Sequence, residues 1–166
     1  MNNDHGDLLA EMILLIATKF RKIRDKGGKP YVLHCLKVMH YCRTKDLELM
    51  MIALGHDVIE DTDTTYEDLR NLGFSERVID GIRAMTKVPG ETNREYLERL
   101  KANPDAVAVK LADLRHNSDI RRLKGVTEKD IKRMSKYHAM HLELQALSDQ
   151  WESDSMAERR KSIGHA

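Results

Sequence analysis

The sequence predicts an all-α fold: a single-domain helical bundle of irregular topology with about eight helices. Three observations predict it. Aromatic residues are only 5% of the 166, with three prolines and nine glycines, which is poor in strand and turn formers. Apolar residues recur at three- and four-residue spacing along most of the chain. Cap-forming residues and glycines punctuate those runs.

The first helix spans about Asp7 to Arg24, on Leu8, Leu9, Met12, Ile13, Ile16, Phe20 and Ile23, and GGKP from Gly27 to Pro30 stops it. The second runs from Val32 to Arg43. The third, Asp46 to about Glu60, is apolar nearly all round at its centre and should be the buried central helix. After the DTDTT loop, Thr65 and Asp68 open a short helix that Gly73 ends. Ser75 caps a helix to about Met85, and Thr92 with Glu95 caps another to about Ala102. Asn103-Pro104 starts a helix to about Lys124, broken by Gly125. Thr127 and Asp130 open the last, to about Trp151. The expected organisation is one domain over residues 1–152 and a flexible tail over 153–166.

Lys plus Arg number 28 against 27 Asp plus Glu, a formal charge of +1. That excludes a strongly basic polymer-binding protein, so no nucleic-acid partner is expected. A chain of this size buries about 70% of its unfolded surface, enough for one core. Cys35 and Cys42 are seven apart, too far on one helix to bridge, and are expected to be reduced core thiols. No signal peptide is evident, and no apolar run approaches the roughly 18 residues of a membrane span. A cytoplasmic location without a membrane partner follows as the expectation. Nothing in the sequence speaks to oligomeric state.

Three segments break the rules of a hydrophobic core. GHDVIEDTDTT, Gly55 to Thr65, puts His56, Asp57, Glu60 and Asp61 on one broad face at the end of the most apolar helix. Three carboxylates at a helix C-terminus oppose the macrodipole, a conflict that a divalent cation relieves; the plain alternative is a solvated helix end. AVAVKLADLRHN places Asp113 in an apolar run, with Lys110 and Asn117 on the same stripe. Either Lys110 neutralises Asp113, or Asp113 binds a metal and its neighbours face a ligand. His34 opens an apolar helix after a loop, where a lone histidine is ordinarily a satisfied core residue. Taken together, His34, His56, Asp57 and Asp113 form a thiolate-free set on three helices, suited to Mn, Fe, Co or Zn. RKIRDKGGK carries Arg21, Lys22, Arg24, Lys26 and Lys29. It reads as a solvated helix end or as a polyphosphate clamp, with Gly27-Gly28 a hinge beside it. His138 and His141 are three apart on the last helix, without accompanying carboxylates, and read as surface or packing residues.

The ordered set GGKPYVLH, HDVIEDTDTT and VKLADLRHN resembles the HD-domain metal-dependent phosphohydrolases. More narrowly, it resembles the hydrolase domain of bifunctional alarmone synthetase/hydrolases and the stand-alone small alarmone hydrolases, from about Leu8 to Leu147. The length matches a stand-alone hydrolase. The resemblance implies the HD-domain fold and removal of the 3′-pyrophosphate of guanosine tetra- or pentaphosphate, leaving GDP or GTP. It implies His34, His56, Asp57 and Asp113 as metal ligands, usually for Mn²⁺, with Fe²⁺, Co²⁺ or Zn²⁺ as other choices. It makes Glu60 and Asp61 the catalytic acidic pair. Asn117, Tyr137 and Arg24 fall at substrate-binding positions, and Lys110 would stabilise phosphoryl charge. The chain departs from the family where relatives carry an HxGQ-like motif: Phe20 stands near the histidine position. It departs again at Ile120, where some carry threonine. Both departures bear on nucleobase selectivity. The alternatives are another HD phosphohydrolase, acting on NADPH phosphate, a nucleoside 5′-phosphate or a cyclic nucleotide, and a silent nucleotide-binding regulator, against which the Glu60-Asp61 pair argues.

Overall fold

The computed structural model describes residues 4–163. Among them lie nine α-helices, one 3₁₀ turn and no strand. In chain order these are α1 (His5–Lys19), α2 (Val32–Tyr41), α3 (Leu47–Gly55), α4 (Val58–Asp61), α5 (Tyr66–Asn71), α6 (Glu76–Met85), α7 (Asn93–Lys101), α8 (Pro104–Asn117), the 3₁₀ turn Ile120–Arg122, and α9 (Glu128–Ile163). The predicted caps form. Thr65 and Thr92 each close a reciprocal capping box with Asp68 and Glu95. Asn103 accepts from Ala106 N ahead of Pro104, and Ser75 accepts from Val78 N.

The central helix is α3, which packs against α1, α2, α6 and α8. Its residues Met51 to Gly55 are all buried, as the all-round apolar pattern requires. Around it, Met12, Ile16, Ile79, Ile82, Leu114 and Leu144 are fully or almost fully buried, each such side chain stabilising the fold by about 1.5–3 kcal/mol. A Cβ on Gly81 would lie 2.5 Å from Ile52 Cδ1, so α6 approaches α3 at that distance only through glycine. Cys35 is buried and Cys42 half-buried, both free thiols.

Four helix boundaries differ from the expectation. The first helix stops at Lys19, not Arg24. Phe20 turns into the core at 1% exposure and caps the helix, its N–H on Ile16 O, and the next residues peel into a loop closed by a bridge between Arg24 and Pro30. The third helix breaks after Gly55. Asp57 (φ −106°, ψ 0°) precedes the one-turn α4, which contains Glu60 and Asp61. The acidic residues therefore do not crowd the last turn of α3, and their conflict with its dipole is eased. The eighth element ends at Asn117, because Asp119 caps a separate 3₁₀ turn by accepting from Arg121 N at 3.1 Å. The last helix continues past Trp151 to Ile163. The final three residues of the expected tail, 164–166, lie outside the described residues.

One polar knot fixes the loop between α6 and α7. Arg99 forks onto both carboxylate oxygens of Glu91 at 2.9 Å and donates to Arg83 O and Thr86 O. Glu91 also accepts from Val88 N at 3.0 Å. The Arg99 guanidinium and the Val88 amide hold the Glu91 carboxyl down at about 2, against an ordinary 4.5. A carboxyl depressed in the folded state stabilises fully above its unfolded pKa and loses that contribution as pH falls. Wild type should therefore exceed Glu91→Gln in urea midpoint at pH 7. The gap should close between pH 4.5 and about 2.

Candidate active site

The floor of the site is built by three elements. His34 comes from the first turn of α2, Asp113 from the middle of α8, and His56 and Asp57 from the break between α3 and α4. His34, His56 and Asp113 are at most 4% exposed. His34 Nε2 lies 3.2 Å from His56 Nε2, 3.4 Å from Asp113 Oδ1 and 3.6 Å from Asp57 Oδ2. His56 Nε2 lies 2.9 Å from Asp57 Oδ2 and 3.8 Å from Asp113 Oδ1. One donor atom each from His34, His56 and Asp57 falls within 4.8 Å of the others.

Hydrogen bonds on the far side of the rings fix which nitrogen faces inward. His56 Nδ1 is 2.8 Å from Ala53 O. A carbonyl only accepts, so Nδ1 carries a proton, and Nε2 is the nitrogen turned inward. His34 Nδ1 is 2.7 Å from His116 Nδ1. Burial, Arg122 and His34 lower the His116 pKa to about 4, so it is neutral at pH 7. It can then accept from His34 Nδ1–H, which turns the His34 Nε2 lone pair inward as well. Two inward imidazole nitrogens thus face Asp57 Oδ2 and Asp113 Oδ1, an arrangement that needs positive charge at its centre. Burial disfavours that charge on His56 itself, yet Asp57 and Asp113 raise its pKa to about 9. Two imidazoles and two carboxylates are a donor set suited to a divalent transition metal, so the residues present fit one.

A ladder of polar contacts holds the carboxylates. Lys110 Nζ donates to Asp113 Oδ2 at 2.9 Å, and Asn117 Nδ2 donates to Asp113 Oδ1 at 2.5 Å. Arg122 donates to Asn117 Oδ1 and His116 O, each at 2.9 Å, and to Asp25 Oδ2 at 3.2 Å. Asp25 accepts in turn from Gly27 N and Lys29 N. A Cβ on Gly27 would stand 2.2 Å from Arg122 O, and Gly28 holds φ +83°. The glycine pair expected as a hinge therefore serves a close contact and a left-handed turn. Tyr31 OH donates to Asp57 Oδ2 at 2.5 Å. Burial works against ionisation of Asp57 and Asp113, but the facing histidines, with Lys110 beside Asp113, win and hold both carboxyls below the ordinary range.

Above the floor opens a cleft of about 600 Å³ whose lining includes Glu60, Asp61, Arg24, Lys110, Asn117 and Tyr137. The six residues expected to be catalytic or substrate-binding thus line one cavity, with Asp57 and Asp113. Glu60 accepts from Lys87 N at 3.2 Å. Burial, with Asp57 and Glu60 nearby, raises the Asp61 pKa above the ordinary carboxyl value, leaving it more basic than a free carboxylate. The two readings of Lys110 are not exclusive: it pairs with one Asp113 oxygen and still lines the cleft, 17% exposed. Arg24 is exposed and spends Nη1 on the carbonyls of Arg21 and Ile23.

The five-cation run does not act as one cluster, since only Arg24 and Lys26 of it reach the cleft. Lys87, Arg122 and Arg133 join them from other segments, and these the sequence reading missed. It also missed Tyr31 and His116. Spacing held a signal for both, since Tyr31 is three before His34 and His116 three after Asp113. Phe20 packs in the core against Tyr31, ring centroids 5.1 Å apart. His138 and His141 lie away from the floor, on a second cavity.

No family-level profile matches the chain. The guanosine-3′,5′-bis(diphosphate) 3′-pyrophosphohydrolase MESH1 of Danio rerio is 33% identical over 127 residues, covering 70% of this chain and 71% of the relative. The guanosine-3′,5′-bis(diphosphate) 3′-pyrophosphohydrolase of Aquifex aeolicus is 31% identical over 119 residues, covering 66% of this chain. The bifunctional (p)ppGpp synthase/hydrolase SpoT of Escherichia coli is 32% identical over 104 residues. The chain spans only 17% and 15% of these last two proteins. A solved structure, described as a metazoan ortholog of SpoT that hydrolyses ppGpp, superposes with a TM-score of 0.70 at 25% identity, covering 86% of this chain and 92% of the other.

Tyr31→Phe removes the hydroxyl that orients Asp57 while keeping the ring. The expected outcome is a divalent-metal affinity lower by about tenfold or more, read by competition with a chromogenic chelator. The urea midpoint of the metal-free protein should barely move.

Proposed function

This chain belongs to the guanosine-3′,5′-bis(diphosphate) 3′-pyrophosphohydrolases, and we propose that the cleft above Asp57 and Asp113 is where it performs that hydrolysis. Guanosine tetra- or pentaphosphate is the substrate, and GDP or GTP with pyrophosphate are the products. The observation that carries the assignment is the convergence of His34, His56, Asp57 and Asp113 beneath a cleft lined by cations.

In this reading the four residues hold one divalent ion, Mn²⁺ by preference. Fe²⁺, Co²⁺ and Zn²⁺ are compatible with the same donors. The ion supplies Lewis-acid charge and lowers the pKa of the attacking water. The chain's own residues do the rest. Tyr31 keeps one oxygen of Asp57 aimed at the floor, and Lys110 and Asn117 do the same for Asp113. Asp61, with its raised pKa, accepts a proton from the water at a carboxylate oxygen, and Glu60 orients that water. The water oxygen bonds to the phosphorus carried on the ribose 3′-oxygen. The bond between that phosphorus and the 3′-oxygen breaks, and the 3′-oxygen takes up the proton that Asp61 received from the water. Lys110, with Lys26, Lys87 and Arg133 along the walls, offsets the charge of the phosphates. Asn117 and Tyr137 place the sugar, and Arg24 stands at the rim for the base. The proposed compartment is the cytoplasm, where its nucleotide substrate is made. No helix among the described residues is long and apolar enough to cross a membrane.

Purified protein loaded with Mn²⁺ and incubated with guanosine tetraphosphate should release GDP and pyrophosphate, resolved by ion-exchange chromatography. Asp113→Ala should lose both bound metal, by plasma emission, and turnover. Glu60→Ala should keep metal and lose about 10²–10⁴-fold in rate. Full activity in Asp113→Ala would refute the assignment, and hydrolysis of NADPH phosphate in preference to the alarmone would redirect it.

A further inference from the structure

A second cavity, of about 670 Å³, opens between α2, α8 and α9. It uses the opposite faces of the helices that build the cleft. On α8, Lys110, Asp113 and Asn117 face the cleft, while Ala108, Leu111, Ala112 and Arg115 face the second cavity. On α9, Arg133, Tyr137 and Met140 line the first, while Met134, His138 and His141 line the second. No residue lines both. The volume lies in the usual range for small-molecule sites, about 300–1,000 Å³.

We propose that this cavity is a binding site for a small organic anion with a flat apolar body, of the aromatic carboxylate or sulfonate type. The walls set the body: Leu111, Ala112, Leu114 and Met134 are apolar, and Tyr41 offers a ring beside them. The charge sets the headgroup. No Asp or Glu lines the cavity. Arg115 makes no ion pair among the described residues, and its guanidinium lies 4.3 Å from the centroid of the Tyr41 ring. A guanidinium stacked this way keeps its in-plane N–H groups free to fork onto a planar anion. His138, His141 and Ser118 add hydrogen-bonding groups without adding negative charge. Cys42 adds none either, since burial pushes its thiol up to about 11.

The probe is 1-anilinonaphthalene-8-sulfonate, titrated into the full chain by fluorescence and calorimetry. The expected result is one-to-one binding that pyrophosphate does not displace. Arg115→Gln should weaken it about tenfold, and Ala108→Trp, which fills the cavity, should abolish it. Alarmone hydrolysis should be unchanged in both. If Ala108→Trp fails to fold by circular dichroism, the exposed Arg115→Gln decides alone. Three results would overturn the proposal: no binding by wild type, equal affinity in Arg115→Gln, or displacement by pyrophosphate, which puts the probe in the cleft. So would a dimer, by light scattering, that Ala108→Trp converts to monomer, because the occupant would then be a second copy.

Discussion

A carboxylate inside an apolar helix is the constraint around which the rest is arranged. Asp113 is 4% exposed, and an ionised group at that depth is tolerated only when paired and hydrogen-bonded. Lys110 takes one of its oxygens and Asn117 the other. The second oxygen also faces both imidazoles. Those contacts position α2 and the break after α3 against α8. Asn117 passes the restraint to Arg122, and Arg122 passes it to Asp25 and the loop at the cleft rim. A single buried charge thereby links three stretches that are far apart in the chain, Asp25 to His34, His56 to Asp57 and Asp113 to Arg122.

Much of the helical framework was legible, because its signals are local. A capping box such as Thr92–Glu95 needs only four residues to declare itself. The all-round apolar centre of α3 announces burial without knowledge of its neighbours. The misjudged boundaries share a cause. At Arg24, Glu60 and Lys124 the apolar or polar pattern runs on past the true end. The end is set by contacts the apolar pattern does not encode, by Phe20 turning into the core and by Asp119 capping the turn beyond Asn117.

The site divides along the same line. The charged and histidine residues inside apolar runs, His34, His56 and Asp113, stood out because burial makes them costly. Glu60 and Asn117 stood out by their spacing from those residues, Tyr137 entered only through the family resemblance, and the structure brings all three to the same cleft. Tyr31, His116 and Arg122 escaped notice: for the first two only their three-residue spacing from His34 and Asp113 spoke, and an arginine in a polar turn costs nothing in isolation. Their roles arise only once the chain is folded: one orients Asp57, one receives the back of the His34 ring, and one ties Asn117 to the loop. The basic run misled in the opposite sense, because adjacency along the chain did not become adjacency around the cavity.

The length of α9 has a mechanical corollary. At about 1.5 Å per residue, its 36 residues form a rod roughly 54 Å long, and Arg133, Tyr137 and Met140 are mounted on it one after another. Their backbone positions are tied to one another by a single continuous helix. The opposing jaw, from Arg24 to Gly27, is a loop, but its compliance is removed by the Asp25–Arg122 clasp. Both jaws of the aperture are thus set by backbone that the fold itself restrains, one by a continuous helix and the other by a clasp.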